Sequence, residues 1–291
     1  MDQADKLRNI IKANQVAPQP TARVITVTSG KGGVGKSNVA INLAVQFKRH
    51  GKRVIIFDAD FGLANIEVMF GAIPKHSLAD LLYQGMSIRD IITWGPMEIG
   101  FISGGSGIIG MSNLNRDNLN YLVSNLSELD SIADVIIIDT GAGISDAVLE
   151  FLVASGEILL VTTPEPTSIT DSYSLLKSLN NHPRFENAGI PVKVITNMIE
   201  TSEEGKQLFN KLNTVVKRYL SLSIELLGVI PLDNSIGKSI MQQTPVTIMD
   251  PDCKSSKAFK DIAETLMDIP HESPVYRKGM RGFFEMFVKR K

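Results

Sequence analysis

The chain has 291 residues, a formal net charge of −1, 43% hydrophobic residues and a single cysteine. This length exceeds the ~100–200 residues of a typical domain, although α/β folds often reach it as one unit. The near-neutral charge excludes a global preference for nucleic acid, and one cysteine excludes an internal disulfide. The N-terminal residues lack the apolar stretch of a signal peptide, and no apolar run approaches the ~18 residues of a membrane span. We therefore expect a cytoplasmic protein with no nucleic-acid partner.

The first 20 residues predict a helix and a linker. Asp2 is a suitable N-cap for a helix to about Asn14, in which Leu7, Ile10 and Ile11 form an apolar stripe. Two prolines, Pro18 and Pro20, separate this helix from the rest of the chain. A detached amphipathic helix needs a partner, so residues 1–20 are expected to act on another protein.

The run Gly30-Lys31-Gly32-Gly33-Val34-Gly35-Lys36-Ser37 fits the phosphate-binding pattern G-x-x-x-x-G-K-[ST]. A β-branched run, Val24–Thr28, predicts a buried strand before it, and Ser37–His50 predicts a helix after it. The glycines let backbone N–H groups turn toward the α- and β-phosphates, and the helix adds its positive end. Lys36 would contact the β- and γ-phosphates, and the Ser37 hydroxyl would bind Mg²⁺.

Further apolar runs predict more strands, separated by helical segments. They are Val54–Asp58, Val135–Asp139, Ile158–Thr162, Val192–Thr196 and Leu226–Ile230. This βαβ rhythm predicts an α/β fold with a mostly parallel central sheet flanked by helices on both faces, as in P-loop NTPases. Ligands of such sheets bind at the carboxyl ends of the strands, where Asp58, Asp139 and Asn197 fall.

Lys31 is the residue that separates this loop from an ordinary phosphate loop, which needs no charge there. A lysine that does not fold back onto its own nucleotide can reach a γ-phosphate bound by a facing subunit. The loop with its extra lysine resembles the signature of the MinD/ParA family of deviant Walker A ATPases, over roughly Thr21 to Met267. The resemblance implies ATP and Mg²⁺ as cofactors, an ATP-sandwiched homodimer, and slow, dimer-dependent hydrolysis of ATP to ADP and phosphate.

The same resemblance implies roles for individual residues. The segment Phe57–Asn65 resembles the family's switch I, in which Asp60 positions the attacking water and Asp58 lies near the metal. Asp139–Gly143 resembles switch II, in which Asp139 holds Mg²⁺ through a water. The implied catalytic set is Lys31, Lys36 and Asp60, and the implied metal set is Ser37, Asp58 and Asp139. The implied nucleotide contacts are Gly30, Lys31, Gly32, Gly33, Val34, Gly35, Lys36, Ser37, Asn38, Asn197, Pro231 and Asp233, although a turn-forming role for Asn197 stays open.

The C-terminal residues predict an amphipathic helix. At 100° per residue, Met280–Lys291 gathers one apolar arc, made of Met280, Phe283, Phe284, Phe287 and Val288. Basic residues surround it, including Lys289 and Arg290, which is typical of a helix lying on anionic membrane lipids. We expect residues 271–291 to be a membrane-targeting tail after an ATPase domain of residues 21–270, with reversible binding to the inner face of the cell membrane. Two alternatives remain: a helix docked on its own core, and a helix docked in the monomer and released on dimerisation.

The head of the chain narrows the resemblance. Asp2-Gln3-Ala4-Asp5-Lys6-Leu7-Arg8 looks like the DQAxxLR activator motif of the flagellar branch of the MinD family. In that branch the helix docks on the flagellar GTPase FlhF, of the signal-recognition-particle type, and its glutamine completes the partner's catalytic site. The resemblance implies partner activation by Gln3, Leu7 and Arg8, control of flagellar placement and number, and contacts with basal-body (C-ring) proteins. A MinD-type cell-division regulator and a nucleotide-gated scaffold for basal-body assembly are the alternatives.

Overall fold

The structure, a computed structural model, describes residues 21–60, 65–104, 116–186, 188–268 and 279–288. The strands are β1 Arg23–Thr28, β2 Val54–Ala59, β3 Thr93–Trp94, β4 Gly100–Ser103, β5 Val135–Thr140, β6 Glu157–Thr162, β7 Val192–Ile199 and β8 Ile224–Pro231. The helices are α1 Lys36–Arg49, α2 Asn65–Phe70, α3 Leu78–Gln84, α4 Ile88–Ile91, α5 Arg116–Leu126, α6 Leu129–Ile132, α7 Asp146–Ala154, α8 Pro166–Asn180, α9 Ser202–Tyr219, α10 Asn234–Met241, α11 Val246–Met249, α12 Lys254–Asp268 and α13 Gly279–Val288. None of these helices is long and apolar enough to cross a bilayer.

The strands form one sheet in the order β3-β4-β2-β5-β1-β6-β7-β8. Every neighbouring pair is parallel except β3 with β4. The predicted fold class is therefore confirmed, and the six strands predicted from apolar runs are all present. Their bounds differ from the prediction by at most two residues at the N-terminal end and three at the C-terminal end. The short strands β3 and β4 were not predicted.

Helices cover both faces of the sheet, as the near-continuous apolar strands require. Side chains of β2 alternate between the two cores: Ile56 joins the core under α1, α2, α11 and α12, whereas Ile55 and Phe57 join the core under α3 to α7. A third core, on the same face as the second, lies between β6–β8 and the helices α7, α8 and α9. The strands are thereby buried on both sides, and the loops at their carboxyl ends are left to form a site.

The C-terminal helix α13 packs against α5, α6 and α7. Met280, Phe283 and Phe284 expose 1% or less of their surface. The Phe284 ring meets Phe57 edge-on, with centroids 6.1 Å apart, and the Phe283 ring lies 5.8 Å from that of Phe151. Of the arrangements left open by the sequence, the structure thus has the tail docked on its own core. The side chain of Phe287, and all of Lys289 and Arg290, lie outside the described residues.

Three buried charged side chains meet where β1, β6 and β7 begin. Glu157, fully buried, accepts hydrogen bonds from the Arg23 guanidinium and from the Lys193 ammonium, the latter at 2.8 Å. Arg23 also donates to the carbonyl of Leu266 at 2.6 Å, which ties the end of α12 to the sheet. The two cations hold the pKa of Glu157 below its usual value despite the burial, which acts in the opposite direction. This cluster stabilises the amino end of the sheet, opposite the predicted ligand site.

Replacing Glu157 by Gln is expected to lower the free energy of unfolding by about 3–5 kcal/mol, because two buried cations lose their counter-ion. Urea unfolding followed by circular dichroism measures this loss. Glu225→Gln is the control, since Glu225 is exposed on the neighbouring strand β8 and its loss should cost under about 0.5 kcal/mol. Equal stabilities of the two variants would contradict the assigned role of the cluster.

Candidate functional site

The loop between β1 and α1 has the conformation that its glycines permit. Gly33 and Gly35 have φ angles of +78° and +93°, in the left-handed region that favours glycine. Gly35 directly precedes α1, whose first residue is Lys36. The helix therefore begins with free backbone N–H groups and its positive end facing the loop, as an anion-binding site requires.

Close packing fixes this loop from two sides. A Cβ on Gly30 would lie 2.2 Å from the carbonyl carbon of Asp171 in α8, so only glycine fits there. On the other side, the Asn197 side-chain amide donates to the Val34 carbonyl at 2.8 Å, and a Cβ on Gly35 would lie 2.5 Å from that amide nitrogen. Asn197 is 96% buried and its Oδ1 has no hydrogen-bond partner among the described residues. Asn197 therefore braces the loop and keeps one acceptor free.

Two carboxylates lie side by side at the carboxyl end of the sheet. Asp58 in β2 is the register partner of Asp139 in β5, and they are 3% and 1% exposed. Burial, and to a lesser extent the charge of Asp139, raises the pKa of Asp58 to about 8. Burial raises the pKa of Asp139 to about 6, against the opposing effects of the Ser37 hydroxyl and the Lys36 ammonium. Burial also lowers the pKa of Lys36, which Asp139 and Asp60 partly offset.

This donor set fits a magnesium ion. Neither oxygen of Asp139 accepts a well-formed hydrogen bond from the described residues, although both are buried. Carboxylate and hydroxyl oxygens are the ligands that Mg²⁺ prefers, and it usually takes few of them from protein and the rest from phosphates and water. Asp60 stands at the rim: its backbone N–H donates to Asp58 at 3.0 Å, and its Oδ1 lies 3.7 Å from where a Cβ on Gly141 would be. The structure thus brings together five of the predicted catalytic and metal residues: Lys36, Ser37, Asp58, Asp60 and Asp139.

The segment Asp139–Gly143, predicted to be the second switch, contacts the phosphate loop directly. Gly143, with φ +95°, donates its backbone N–H to the Ser29 carbonyl at 3.0 Å. A Cβ on Gly32 would lie 3.9 Å from the Cβ of Ala142. The two segments are therefore in direct contact. The predicted first switch is described only to Asp60 and from Asn65 onward, since residues 61–64 lie outside the described ranges.

Lys31 is held by its own chain. Its ammonium forms an ion pair with Glu165 and donates to the Thr167 hydroxyl at 2.8 Å, both at the start of α8. Glu165 and Thr167 were not among the residues predicted from the sequence. The one sequence feature that could have indicated them is the polar run after β6, because it follows the carboxyl end of a strand in the same sheet.

The loop after β8 has a structural task that the sequence did not reveal. Asp233 accepts hydrogen bonds from Ser235 at the start of α10 and from Ser255 at the start of α12. These bonds outweigh the effect of burial and lower the pKa of Asp233 to about 2. The Leu232 N–H donates to the Ile199 carbonyl at 2.8 Å, which fixes the loop beside β7. The Asp233 side chain thus caps both α10 and α12.

Comparison with known proteins agrees with this geometry. The family model described as "ParA: NUBPL iron-transfer P-loop NTPase" matches residues 21–267. The chain is 38% identical over 276 residues to the antiactivator FleN of Pseudomonas aeruginosa, covering 95% of each chain. The chain belongs to the MinD/ParA family of P-loop ATPases. It is also 30% identical to the flagellum site-determining protein YlxH of Helicobacter pylori, covering 99% of this chain and 98% of that one.

Solved structures share the fold. A chain of the MinC:MinD cell division protein complex of Aquifex aeolicus matches with a TM-score of 0.69 at 23% identity, covering 87% of this chain and 99% of that one. MinD of Pyrococcus horikoshii, complexed with Mg-ADP, matches with a TM-score of 0.66 at 24% identity, covering 85% and 96%. The second of these structures thus holds Mg-ADP on a fold that this chain shares.

The metal-free, nucleotide-free protein is expected to lose stability between pH 5 and pH 8. In this range the folded state keeps a proton on Asp58 that the unfolded state releases near pH 4, so stability is greatest below the unfolded pKa and falls as pH rises through the folded one. Asp58→Asn should flatten this dependence and raise the melting temperature at pH 8. Differential scanning calorimetry measures both.

Asp146→Asn is the control, because Asp146 is an exposed side chain in the first turn of α7. A pH profile of Asp58→Asn identical to that of the wild type would contradict the raised pKa of Asp58.

Proposed function

We propose that this protein is an ATP-driven dimerisation switch that hydrolyses ATP slowly and acts at the membrane in flagellar regulation. The observation that carries the proposal is the convergence of the phosphate loop, a signature lysine and a buried carboxylate pair at one end of the sheet. Residues 1–20, 21–270 and 271–291 would act as partner helix, ATPase domain and membrane tail. Each part has its own support.

The chain's own residues account for the chemistry of the ATPase domain. Lys36 and the N–H groups of the loop bind the phosphates, and Ser37, Asp58 and Asp139 would hold Mg²⁺. The metal, when bound, supplies charge neutralisation at the phosphates. Asp60 orients the attacking water, Asn38 is a further nucleotide contact, and Asn197 and the loop from Pro231 to Asp233 surround the base.

Dimerisation would exchange the contacts of Lys31 within its own chain for a contact with the facing subunit. In the single chain it is held by Glu165 and Thr167, and in the proposed dimer it leaves them for the γ-phosphate bound by the facing subunit. The pair with Glu165 is half-exposed, so breaking it costs little. The exchange couples subunit association to the presence of the γ-phosphate.

The tail converts dimerisation into membrane binding. Phe283 and Phe284 are buried in the single chain, so they reach a membrane only after α13 leaves α5–α7. Two released tails on one dimer bind far more tightly than one, through effective concentration. Hydrolysis would then separate the subunits and return each tail to its core.

A flagellar role is supported by two independent features. The chain's relatives include FleN, an antiactivator, and YlxH, a flagellum site-determining protein. The segment Asp2–Arg8, outside the described residues, resembles the activator motif that acts on FlhF, and basal-body C-ring proteins are further candidate partners. The similarity to MinD keeps cell-division regulation as the second candidate, and a nucleotide-gated scaffold as the third. Iron transfer, named in the family description, is not supported, because one cysteine does not supply the ligands of a cluster.

ATP-dependent membrane binding tests the switch. The wild type should co-sediment with phosphatidylglycerol-containing vesicles in ATP but not in ADP, and Lys36→Gln should bind in neither. The double variant Lys289→Gln/Arg290→Gln should bind more weakly by roughly 30-fold per tail, because each basic residue contributes about 1 kcal/mol. The variant Lys254→Gln/Lys257→Gln is the matched control, since it removes two exposed charges from α12 instead. Equal binding of the two double variants would exclude the tail as the membrane contact.

GTP hydrolysis by FlhF tests the flagellar assignment. A Met1–Gln19 peptide should accelerate it, and the same peptide with Gln3→Ala should not, because the glutamine is the group expected to enter the partner's catalytic site. A rate that is the same with both peptides would return cell-division regulation to equal standing.

A further inference from the structure

The tail helix is fastened to the core at its first turn by one carboxylate. Asp130, in α6, accepts hydrogen bonds from the backbone N–H of Met280 at 2.7 Å and of Arg281 at 3.3 Å. A helix N-terminus has N–H groups without intrahelical partners and a partial positive charge, and a carboxylate placed there satisfies both. Asp130 is 150 residues from Met280 in the chain, so this cap is a contact between the tail and the core.

Gly279 is the residue that permits this contact. Its φ angle is +53°, which favours glycine, and a Cβ there would lie 2.6 Å from both oxygens of Asp130. Any other residue would have to push the carboxylate away or shift the helix. Gly279 and Asp130 therefore form a fitted pair, which we call the tail anchor.

Asp130 also has a third hydrogen-bond donor, which comes from the residues just before β1. It accepts a hydrogen bond from the Ala22 N–H at 3.3 Å, immediately before β1. Burial raises the pKa of Asp130, and the three backbone N–H groups counteract this rise. When the tail leaves, the carboxylate loses two of these three donors. The anchor lies beside the start of β1, about 20 Å from the phosphate loop at the far end of that strand.

We propose that the tail anchor sets how often α13 leaves the core. The apolar contacts of Phe283 and Phe284 supply most of the burial, but burial has no direction. The cap fixes where the helix begins and therefore the register in which both rings enter the groove. The docked helix is observed; its use in membrane recruitment rests on the proposed function.

Hydrogen–deuterium exchange on the nucleotide-free full chain tests the anchor. In Asp130→Ala the amides of α13 should exchange roughly 2- to 30-fold faster than in the wild type, the range expected for loss of a helix cap. Asp130→Asn should have a smaller effect in the same direction, because its amide keeps one acceptor. Amides of β5 should be unchanged. Thr201→Ala is the matched control, because it removes the cap of α9 without touching the tail.

A reciprocal variant keeps the test decisive if Asp130→Ala folds poorly. Gly279→Ala should also accelerate exchange of α13, through the clash with the carboxylate and the backbone strain. The double variant Asp130→Ala/Gly279→Ala has no such clash. Expressed as free energies, its acceleration of exchange should therefore be smaller than the sum of the two single-variant accelerations. Wild-type exchange of α13 in every Asp130 variant would overturn the proposal, and so would an equal acceleration in α13 and β5, which would mark Asp130 as a general stabiliser.

Vesicle binding separates the anchor from the proposed function. If Asp130→Ala accelerates exchange of α13 and also gives binding to phosphatidylglycerol vesicles without ATP, both stand. If exchange accelerates and no binding appears, the anchor stands and the membrane role of the tail fails.

Discussion

The parallel register of β1, β5 and β2 is the constraint on which the site depends. Val27 lies opposite Asp139, and Asp139 lies opposite Asp58. The start of the phosphate loop and both aspartates therefore lie at the same level along the sheet. Side chains alternate along a strand, and a slip of one residue in β2 would turn Asp58 to the other face and bring Phe57 beside Asp139. The apolar residues of β2 prevent this slip, because those on one face belong to one core and those on the other face belong to another. The hydrophobic cores thus set the geometry of the charged site.

The two ends of the sheet treat buried charge in opposite ways. At the beginning of β1, β6 and β7, the buried carboxylate of Glu157 is paired with the cations of Arg23 and Lys193, so the protein supplies its own counter-ions there. At the other end, Asp58 and Asp139 are buried beside each other, and among the described residues the one cation that acts on this pair is Lys36. Such an arrangement lowers stability until a cation and an anionic ligand join it. The buried acidic groups that lack a matching set of cations therefore lie at the end of the sheet where we propose that the ligand binds.

The sequence predicted the elements whose signal is local. The loop Gly30–Ser37 and the strands before Asp58 and Asp139 carry their patterns in consecutive residues, and they are where the sequence placed them. The strand β3 has two residues and β4 has four, too few to show a period. Asp130 looks like any helix aspartate, because its partners are 108 and 150 residues away. The apolar arc containing Phe283 has the same pattern for a membrane as for a groove, so the sequence left its contact undecided. The cis contacts of Lys31 and the double cap by Asp233 likewise depend on how separate segments meet.

The groove that receives the tail has a consequence for the lifetime of the protein in the cell. Phe57 and Phe151 line it, and with α13 in place both are almost fully buried. A chain whose tail has left therefore displays two apolar surfaces, the helix and the empty groove. Contiguous surfaces of this kind promote aggregation, and partly opened chains are the substrates of chaperones and proteases. In the proposed cycle, time spent undocked away from a membrane would be time exposed to protein quality control, and rapid redocking would protect the chain.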